Sequence, residues 1–193
     1  MSILKVARMG HPVLRQVATA VPVERIGSAE FQLFCDDLLE SMYDQDGVGL
    51  AAPQVHVSLR VVVFELDEDI GPMWLVNPVV TPITDERSAG YEGCLSVPDM
   101  RGRVERYKSV KVEAIDRYGT PISFAAHGWS ARVVQHECDH LDGVLYIDRA
   151  DPKSLAFLLE YRRYGPLVEA EDGDDDEDEE EGEDGDDGEG DEE

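Results

Sequence analysis

The spacing of apolar side chains predicts an amphipathic helix that follows Ser28, a suitable N-cap, and ends near Gly47. Its apolar positions are Phe31, Phe34, Cys35, Leu38, Leu39, Met42 and Tyr43. A second helix is predicted to open at Ser130 and to stop at Gly143. One face of it carries Ala131, Val134, Cys138 and Leu141. Both apolar faces are expected to pack on a sheet, which places Cys35 and Cys138 in the core.

Valine-rich or alternating segments predict strands. They are Arg60 to Leu66, Trp74 to Asn77, Val79 to Thr81, Ser109 to Asp116 and Pro121 to Ala126. A hairpin turn at Arg117 to Thr120 joins the last two. Asp151 and Pro152 resemble an N-cap and first turn, so a last helix is predicted from there. The fold class is α+β, with antiparallel sheets around the second helix, an N-terminal amphipathic helix and a C-terminal helix.

The charge of the chain is divided unevenly along its length. Of the 43 acidic residues, 19 lie in Glu169 to Glu193, where no basic residue occurs. The remaining residues carry 24 acidic against 17 basic side chains, which is an ordinary balance. An acid- and glycine-rich segment buries too little apolar surface to offset its ordering entropy. We therefore predict a folded domain at 1–168 and a disordered acidic tail at 169–193.

The cysteines and the apolar runs indicate the compartment. Cys35, Cys94 and Cys138 are too few and odd in number for a disulfide framework, which favours a reducing environment. We find no signal peptide and no apolar run long enough to cross a bilayer. The expected protein is cytoplasmic and makes no use of a membrane.

The second predicted helix carries an H-E-x-x-H motif, His136-Glu137-Cys138-Asp139-His140. Successive residues turn by about 100°, so the two imidazoles share a face with Glu137 at its edge. Two imidazoles one turn apart can hold a divalent metal, and the carboxylate can take a proton from water that the metal activates. Val133 falls near the same face and should line the adjoining pocket.

A metal site of this kind needs a third ligand, and two candidates remain. Tyr146 stands where one family of peptidases has a histidine, and a phenol is a poor substitute. Glu160 is placed as in thermolysin-like zinc endopeptidases, although the surrounding pattern of that family is missing. Cys94, between Gly93 and Leu95, can supply a thiolate. Three protein ligands would leave a position open for catalysis.

Three motifs occur in order along the chain. They are Gly47-Val48-Gly49-Leu50-Ala51-Ala52-Pro53-Gln54, Glu92-Gly93-Cys94-Leu95-Ser96 and Gln135-His136-Glu137-Cys138-Asp139-His140-Leu141. Together they resemble the signature motifs of peptide deformylases, and the likeness runs from about Lys5 to Tyr164. The resemblance implies a hydrolase that removes the formyl group from the N-terminal formylmethionine of new proteins and releases formate.

The resemblance also implies roles for individual residues. Cys94, His136 and His140 would hold the metal, and Glu137 would act as general base and then general acid. Gln54 and the backbone N–H of Leu95 would form an oxyanion hole. The substrate-binding positions would be Val48, Gly49, Gly93, Val133 and Arg101.

The same resemblance implies a ferrous ion, replaceable by Zn²⁺, Ni²⁺ or Co²⁺. The implied partners are N-formylmethionyl nascent peptides, with no direct binding of nucleic acid. The acidic tail argues against ribosome association, because like charges repel. A non-catalytic peptide- or metal-binding protein of the same fold is the competing hypothesis, and a thermolysin-like endopeptidase is a weaker one.

Overall fold

The computed structural model describes residues 2–67 and 69–166. Its helices are α1 (Ala29–Asp44), α2 (Gly128–Leu141) and α3 (Leu158–Tyr164). Its strands are β1 (Gly49–Ala51), β2 (Val61–Phe64), β3 (Met73–Pro82), β4 (Arg87–Cys94), β5 (Val97–Tyr107), β6 (Ser109–Ile115), β7 (Pro121–His127) and β8 (Ala156–Phe157). All neighbouring strands pair antiparallel. The predicted α+β class is confirmed.

The larger sheet has the order β1-β2-β3-β6-β7 and is covered by a helix on each face. Side chains alternate between the two faces of a strand. Val61 and Val63 of β2 accordingly pack in one core cluster with the apolar face of α1. Val62 and Phe64 pack in another with Ala131, Val134, Cys138 and Leu141 of α2. Burial on both faces explains why β2 is a continuous apolar run.

The smaller sheet has the order β4-β5-β8, and its main part is the long hairpin of β4 and β5. Val104 of β5 packs with Leu14, Leu145 and Tyr146 in a third core cluster. The hairpin ends at the pair Cys94 and Val97, after an irregularity in register between Glu92 and Cys94. This turn carries the predicted cysteine ligand to the polar face of α2.

The structure corrects two of the predicted elements. The last helix does not start at Pro152: Pro152–Ser154 form a 3-10 turn, and Ala156 and Phe157 pair with β5 before α3 begins at Leu158. Hydrogen bonding to an available strand edge therefore overrides the helical pattern of the sequence. Strands β4 and β5 were not predicted, because their polar and glycine-rich residues lack the apolar alternation of a strand.

Other predictions agree with the structure. Helix α1 has Ser28 as its N-cap, and the Ser28 hydroxyl accepts a hydrogen bond from the amide of Phe31. Helix α2 begins at Gly128, two residues before the predicted start. None of the helices in the described ranges has the length and hydropathy needed to cross a membrane. The predicted tail at 169–193 lies outside the described residues.

Candidate metal centre

Three potential metal ligands lie together where α2 faces the β4–β5 turn. One donor atom each of Cys94, His136 and His140 lies within 4.8 Å of the others. The Cys94 Sγ lies 3.2 Å from the His140 Nε2. His136 and His140 share a face of α2, with ring centroids 5.2 Å apart. Helix periodicity thus brings the imidazoles together, and the hairpin adds the thiol from 42 residues upstream.

The thiol of Cys94 is set in a polar environment that favours its anion. It accepts hydrogen bonds from the backbone N–H of Ser96 at 3.4 Å and from Gln54 Nε2 at 3.5 Å. Burial by itself would raise the pKa of Cys94, but His140 and His136 outweigh it and hold the pKa well below its usual value. A cysteine binds metals as the thiolate, so its surroundings prepare it for that role.

A buried carboxylate, Glu92 of β4, orients the first histidine. Its Oε2 lies 2.9 Å from His136 Nδ1, and since a carboxylate only accepts, Nδ1 must carry the proton. The His136 Nε2 is therefore left as the atom that can bind a metal. Burial opposes ionisation of Glu92, yet His136 and Arg106 lower its pKa to about 2. Glu92 belongs to the second of the three sequence motifs, but the sequence alone does not indicate this role.

Glu137 lies beside the three potential ligands in a space that a glycine provides. A Cβ added at Gly49 would come within 2.6 Å of Glu137 Oε1, so only glycine lets β1 approach this carboxylate. Glu137 is buried, and its Oε2 has no hydrogen-bond partner among the described residues. Burial raises its pKa. A carboxyl group with a raised pKa is suited to accept and return a proton near neutral pH.

The two candidates for an oxyanion hole lie beside Cys94. Gln54 is fully buried, and its Oε1 accepts a hydrogen bond of 2.8 Å from the amide of Ala51. That bond turns the Gln54 Nε2 donor towards Cys94 and Ser96. Leu95 directly follows Cys94 in the turn, and its side chain packs against the α1 core cluster. The backbone around Leu95 is thereby held next to the ligands.

A cavity of about 680 Å³ opens in front of these groups. All five predicted substrate-binding residues line it, namely Val48, Gly49, Gly93, Val133 and Arg101. Arg101 folds over Gly93, and a Cβ at Gly93 would clash with its guanidinium. Glu160, the alternative third ligand, is exposed on α3 and does not belong to the ligand cluster. Tyr146 is buried and stacks on His136 with centroids 6.0 Å apart.

Residues that sequence reasoning missed complete the surroundings of the cluster. Arg106 of β5 donates to both oxygens of Glu92, at 2.9 and 3.0 Å, and Arg132 of α2 donates to one at 2.9 Å. Asp139, inside the H-E-x-x-H motif, accepts from Arg106 and Arg149. The sequence offers one indication of these contacts: Arg132 lies a single helical turn before His136 and therefore on the same face of the helix.

An H-E-x-x-H helix with a thiol beside its two imidazoles and a buried carboxyl beside an open cavity fits the class of metal-dependent hydrolases. The sequence profile of the polypeptide deformylase family matches residues 3–156. The chain belongs to this family. Its likeness therefore extends well beyond the three motifs, through both sheets and both long helices.

Individual relatives agree with this assignment. The chain is 44% identical over 155 residues to peptide deformylase 2 of Pseudomonas syringae pv. tomato, covering 76% of this chain and 87% of that one. Over 151 residues it is 43% identical to peptide deformylase of Fusobacterium nucleatum, covering 78% and 85%.

Solved structures show the same fold. A class I type b peptide deformylase from Acinetobacter baumannii has a TM-score of 0.74 at 38% identity, covering 77% of this chain and all of that one. A peptide deformylase from Synechococcus elongatus, crystallised with actinonin, also has a TM-score of 0.74 at 38% identity, covering 79% and 83%.

Proposed function

We propose that this chain performs deformylation with a divalent ion held by Cys94, His136 and His140 and with Glu137 as the proton-transferring group. The chain is a peptide deformylase, a hydrolase that removes the formyl group from formylmethionine at the start of nascent peptides. The observation that carries the proposal is the clustering of the three donor atoms within 4.8 Å beside the buried Glu137 carboxyl.

The donor set fits such an ion. It combines one thiol whose anion is favoured with two imidazoles, and Glu92 fixes the tautomer of one of these. The ion would supply Lewis-acid chemistry, making water a stronger nucleophile and polarising the formyl carbonyl. Mixed nitrogen and sulfur ligands accept Fe²⁺, Zn²⁺, Ni²⁺ and Co²⁺. We propose Fe²⁺ as the native ion, following the usual preference of the family.

The residues of the chain then perform the proton transfers. Glu137 takes a proton from the attacking water while the oxygen of that water adds to the formyl carbon. The N–H groups of Gln54 and Leu95 donate to the oxygen that becomes negative. Glu137 next passes the proton to the peptide nitrogen while the C–N bond breaks, which yields formate and a free amine. The raised pKa of Glu137 supports both transfers.

Substrate binding is assigned to the walls of the cavity. Backbone groups at Val48, Gly49 and Gly93 would hold the peptide as an added strand. Val133 is almost fully buried on the cavity side of α2, in keeping with contact to the methionine side chain. Arg101 is proposed to meet the peptide at the cavity mouth. These assignments take N-formylmethionyl nascent chains as the partner and the cytoplasm as the place of action.

The competing hypothesis is a protein of this fold that binds a peptide or metal without turnover. The six residues expected to act on metal or substrate are Cys94, His136, His140, Glu137, Gln54 and Leu95. All six lie together in the structure, so nothing in the site favours this hypothesis. The acidic tail also gives no support for ribosome docking or for binding of nucleic acid, and we propose neither.

Formate release from formyl-Met-Ala-Ser by anaerobically purified protein tests the proposal. We expect turnover by the wild type and a loss of at least about 10²-fold in Glu137→Gln, because general acid–base catalysis contributes about 10²- to 10⁴-fold. The variant should keep its metal content and its unfolding midpoint. Near-normal formate release by Glu137→Gln would contradict the mechanism, and no turnover by metal-loaded wild type would favour the binding protein.

A further inference from the structure

We propose that Arg132 is a positioning residue, which fixes the helix that carries the two histidines against the strand that carries Cys94. The inference rests on the proposed ligand set of Cys94, His136 and His140. Arg132 lies on α2 one turn before His136 and is only 8% exposed. It lines the cavity, but its hydrogen bonds go to Glu92 and to the backbone of β4 and β5, and we assign its effect on the ligands to these contacts.

The guanidinium of Arg132 follows one face of β4. Its Nη2 donates to the carbonyl of Ser88 at 3.0 Å, and its Nη1 donates to the carbonyl of Gly90 at 3.5 Å and to Glu92 Oε1 at 2.9 Å. Alternate residues of a strand point to the same side, and Cys94 comes next in this series after the irregularity at Glu92. One side chain of α2 thus holds the strand segment that ends at the thiol.

Glu92 joins this contact to the metal ligands. Its Oε1 accepts from Arg132 and its Oε2 lies against His136 Nδ1, so β4 is linked to α2 at two points one helical turn apart. Arg106 of β5 holds the same carboxylate from a third direction. Arg132 also donates to the carbonyl of Val104 in β5 at 2.9 Å. Its rigid fork of donors can serve several acceptors at once, which a lysine cannot do.

Gly90 makes the close approach of α2 and β4 possible. A Cβ at this position would lie 3.0 Å from the guanidinium carbon of Arg132 and 3.0 Å from its Nη2. The backbone of Gly90 is not in the left-handed region, so an alanine there would disturb the Arg132 contact without backbone strain. Gly90 and Arg132 therefore form a pair whose energetic coupling can be measured.

A second buried arginine, Arg117, is a control that distinguishes positioning of the metal ligands from general stabilisation of the fold. Arg117 is also 8% exposed, and its guanidinium donates hydrogen bonds to Gln32 and Asp36 of α1. Its guanidinium packs over Trp74, away from the ligand cluster. Replacing either arginine by methionine removes a buried cation together with its hydrogen bonds and its ion pair, to Glu92 for Arg132 and to Asp36 for Arg117. Both variants should lose stability, but only loss of Arg132 should disturb the ligands.

The test loads metal-free wild type, Arg132→Met and Arg117→Met with one equivalent of Co²⁺ under anaerobic conditions. The rate of Co²⁺ loss to EDTA and the thiolate-to-cobalt charge-transfer band are then recorded. Removal of groups that orient metal ligands typically costs about 10- to 100-fold in metal affinity. We expect release from Arg132→Met to be faster by about that factor, with an altered band, and release from Arg117→Met to match the wild type.

Two further variants serve if Arg132→Met does not fold. Arg132→Lys keeps the charge but not the fork and should show an intermediate release rate. Gly90→Ala crowds the guanidinium without removing it and should accelerate release in the wild-type background. Where Arg132→Met does fold, Gly90→Ala should add little to it, which a double-mutant cycle measures.

Equal release rates for wild type and the Arg132 variants would overturn the inference, and so would equally fast release from Arg117→Met. Failure of the proposed ligand set would be recognised separately, because wild type would then bind Co²⁺ without a thiolate band. That result would also remove the role of Arg132.

Discussion

The two faces of α2 are both buried, but different forces hold them. The core face, with Ala131, Val134, Cys138 and Leu141, packs on the large sheet through contacts without directional requirements. The opposite face carries Arg132, His136 and His140, and its contacts are directional hydrogen bonds to β4 and β5. One helix therefore anchors the domain on one side and presents the candidate metal centre on the other.

Two cysteines show the contrast most clearly. Cys138 points into the core, where burial raises the pKa of its thiol to about 12. Cys94 is also largely shielded, yet the histidines outweigh the effect of burial and lower its pKa well below the ordinary value. The same residue type is therefore inert on one side of α2 and prepared for metal binding on the other.

Cys94→Ser should produce the largest effect, because a hydroxyl does not ionise as a thiol does at neutral pH. We expect loss of the bound metal and a fall in formate release of at least about 10³-fold, since a metal contributes several kcal/mol to such a reaction. Metal analysis and the formate assay measure both. Cys138→Ala, the matched change on the core face, should keep metal and turnover; equal losses in the two variants would remove the distinction between the faces.

Glu92→Gln should combine a site effect with a stability effect. The amide cannot balance the buried cations Arg106 and Arg132, and breaking a buried ion pair costs about 3–5 kcal/mol. Metal affinity should also fall by about 10- to 100-fold, because His136 loses its carboxylate partner. Urea unfolding and Co²⁺ titration measure the two effects. Unchanged metal affinity would mean that Glu92 only stabilises the fold.

Leu141→Ala should affect stability alone. Leu141 is fully buried on the core face, and truncating such a side chain costs about 2–5 kcal/mol. Its metal-loaded, folded form should release formate at the wild-type rate. Chemical denaturation and the formate assay give the two values. A large fall in turnover of the folded variant would show that the core face also tunes the site.

Metal removal should expose one thiol to alkylation. Iodoacetamide is expected to modify Cys94 only after chelation of the metal, because bound metal occupies the sulfur. Cys35 and Cys138 should stay unmodified in the folded protein, since both are buried and burial raises the pKa of each to about 12. Peptide mass spectrometry identifies the modified residue. Labelling of Cys138 before unfolding would contradict its placement in the core.

Truncation after Val168 should have the smallest effect. We expect unchanged turnover on short formylated peptides, because none of the proposed site residues lies in the removed segment. Steady-state formate release from both forms measures this. A large fall in kcat or rise in KM would mean that the acidic segment takes part in the site.

Much of this structure could be predicted from local pattern. The apolar spacing that follows Ser28 and precedes Gly143 identifies α1 and α2, and valine-rich or alternating segments identify β2, β3, β6 and β7. Strand β4 could not be found this way, because its residues are mostly polar or glycine and hydrogen bonds from Arg132 to Ser88 and Glu92 hold it against α2. Strand β5 buries Val97 and Val104, but the polar residues between them hide the alternation. The start of α3 was predicted six residues too early, because the pairing of Ala156 and Phe157 with β5 is not encoded locally.

The candidate site likewise contains residues that the sequence identifies and residues that only the folded structure brings together. The helix period places His136, Glu137 and His140 together, and the need for a third ligand leaves Cys94 and Glu160 as candidates. The family resemblance selects Cys94 and adds Gln54. The network around Glu92 joins residues 14, 40 and 44 positions apart, and no spacing rule connects them. Directional contacts between distant segments are visible only once the chain is folded.

The most direct test of the account is a titration of metal-free protein with Fe²⁺ under anaerobic conditions, with formate release followed at each addition. We predict that activity rises linearly and stops at one ion per chain in the wild type. Glu137→Gln should bind the same single equivalent with at most about 1% of the activity. Formate release that is independent of added metal, or equal in the two proteins, would contradict the proposed centre.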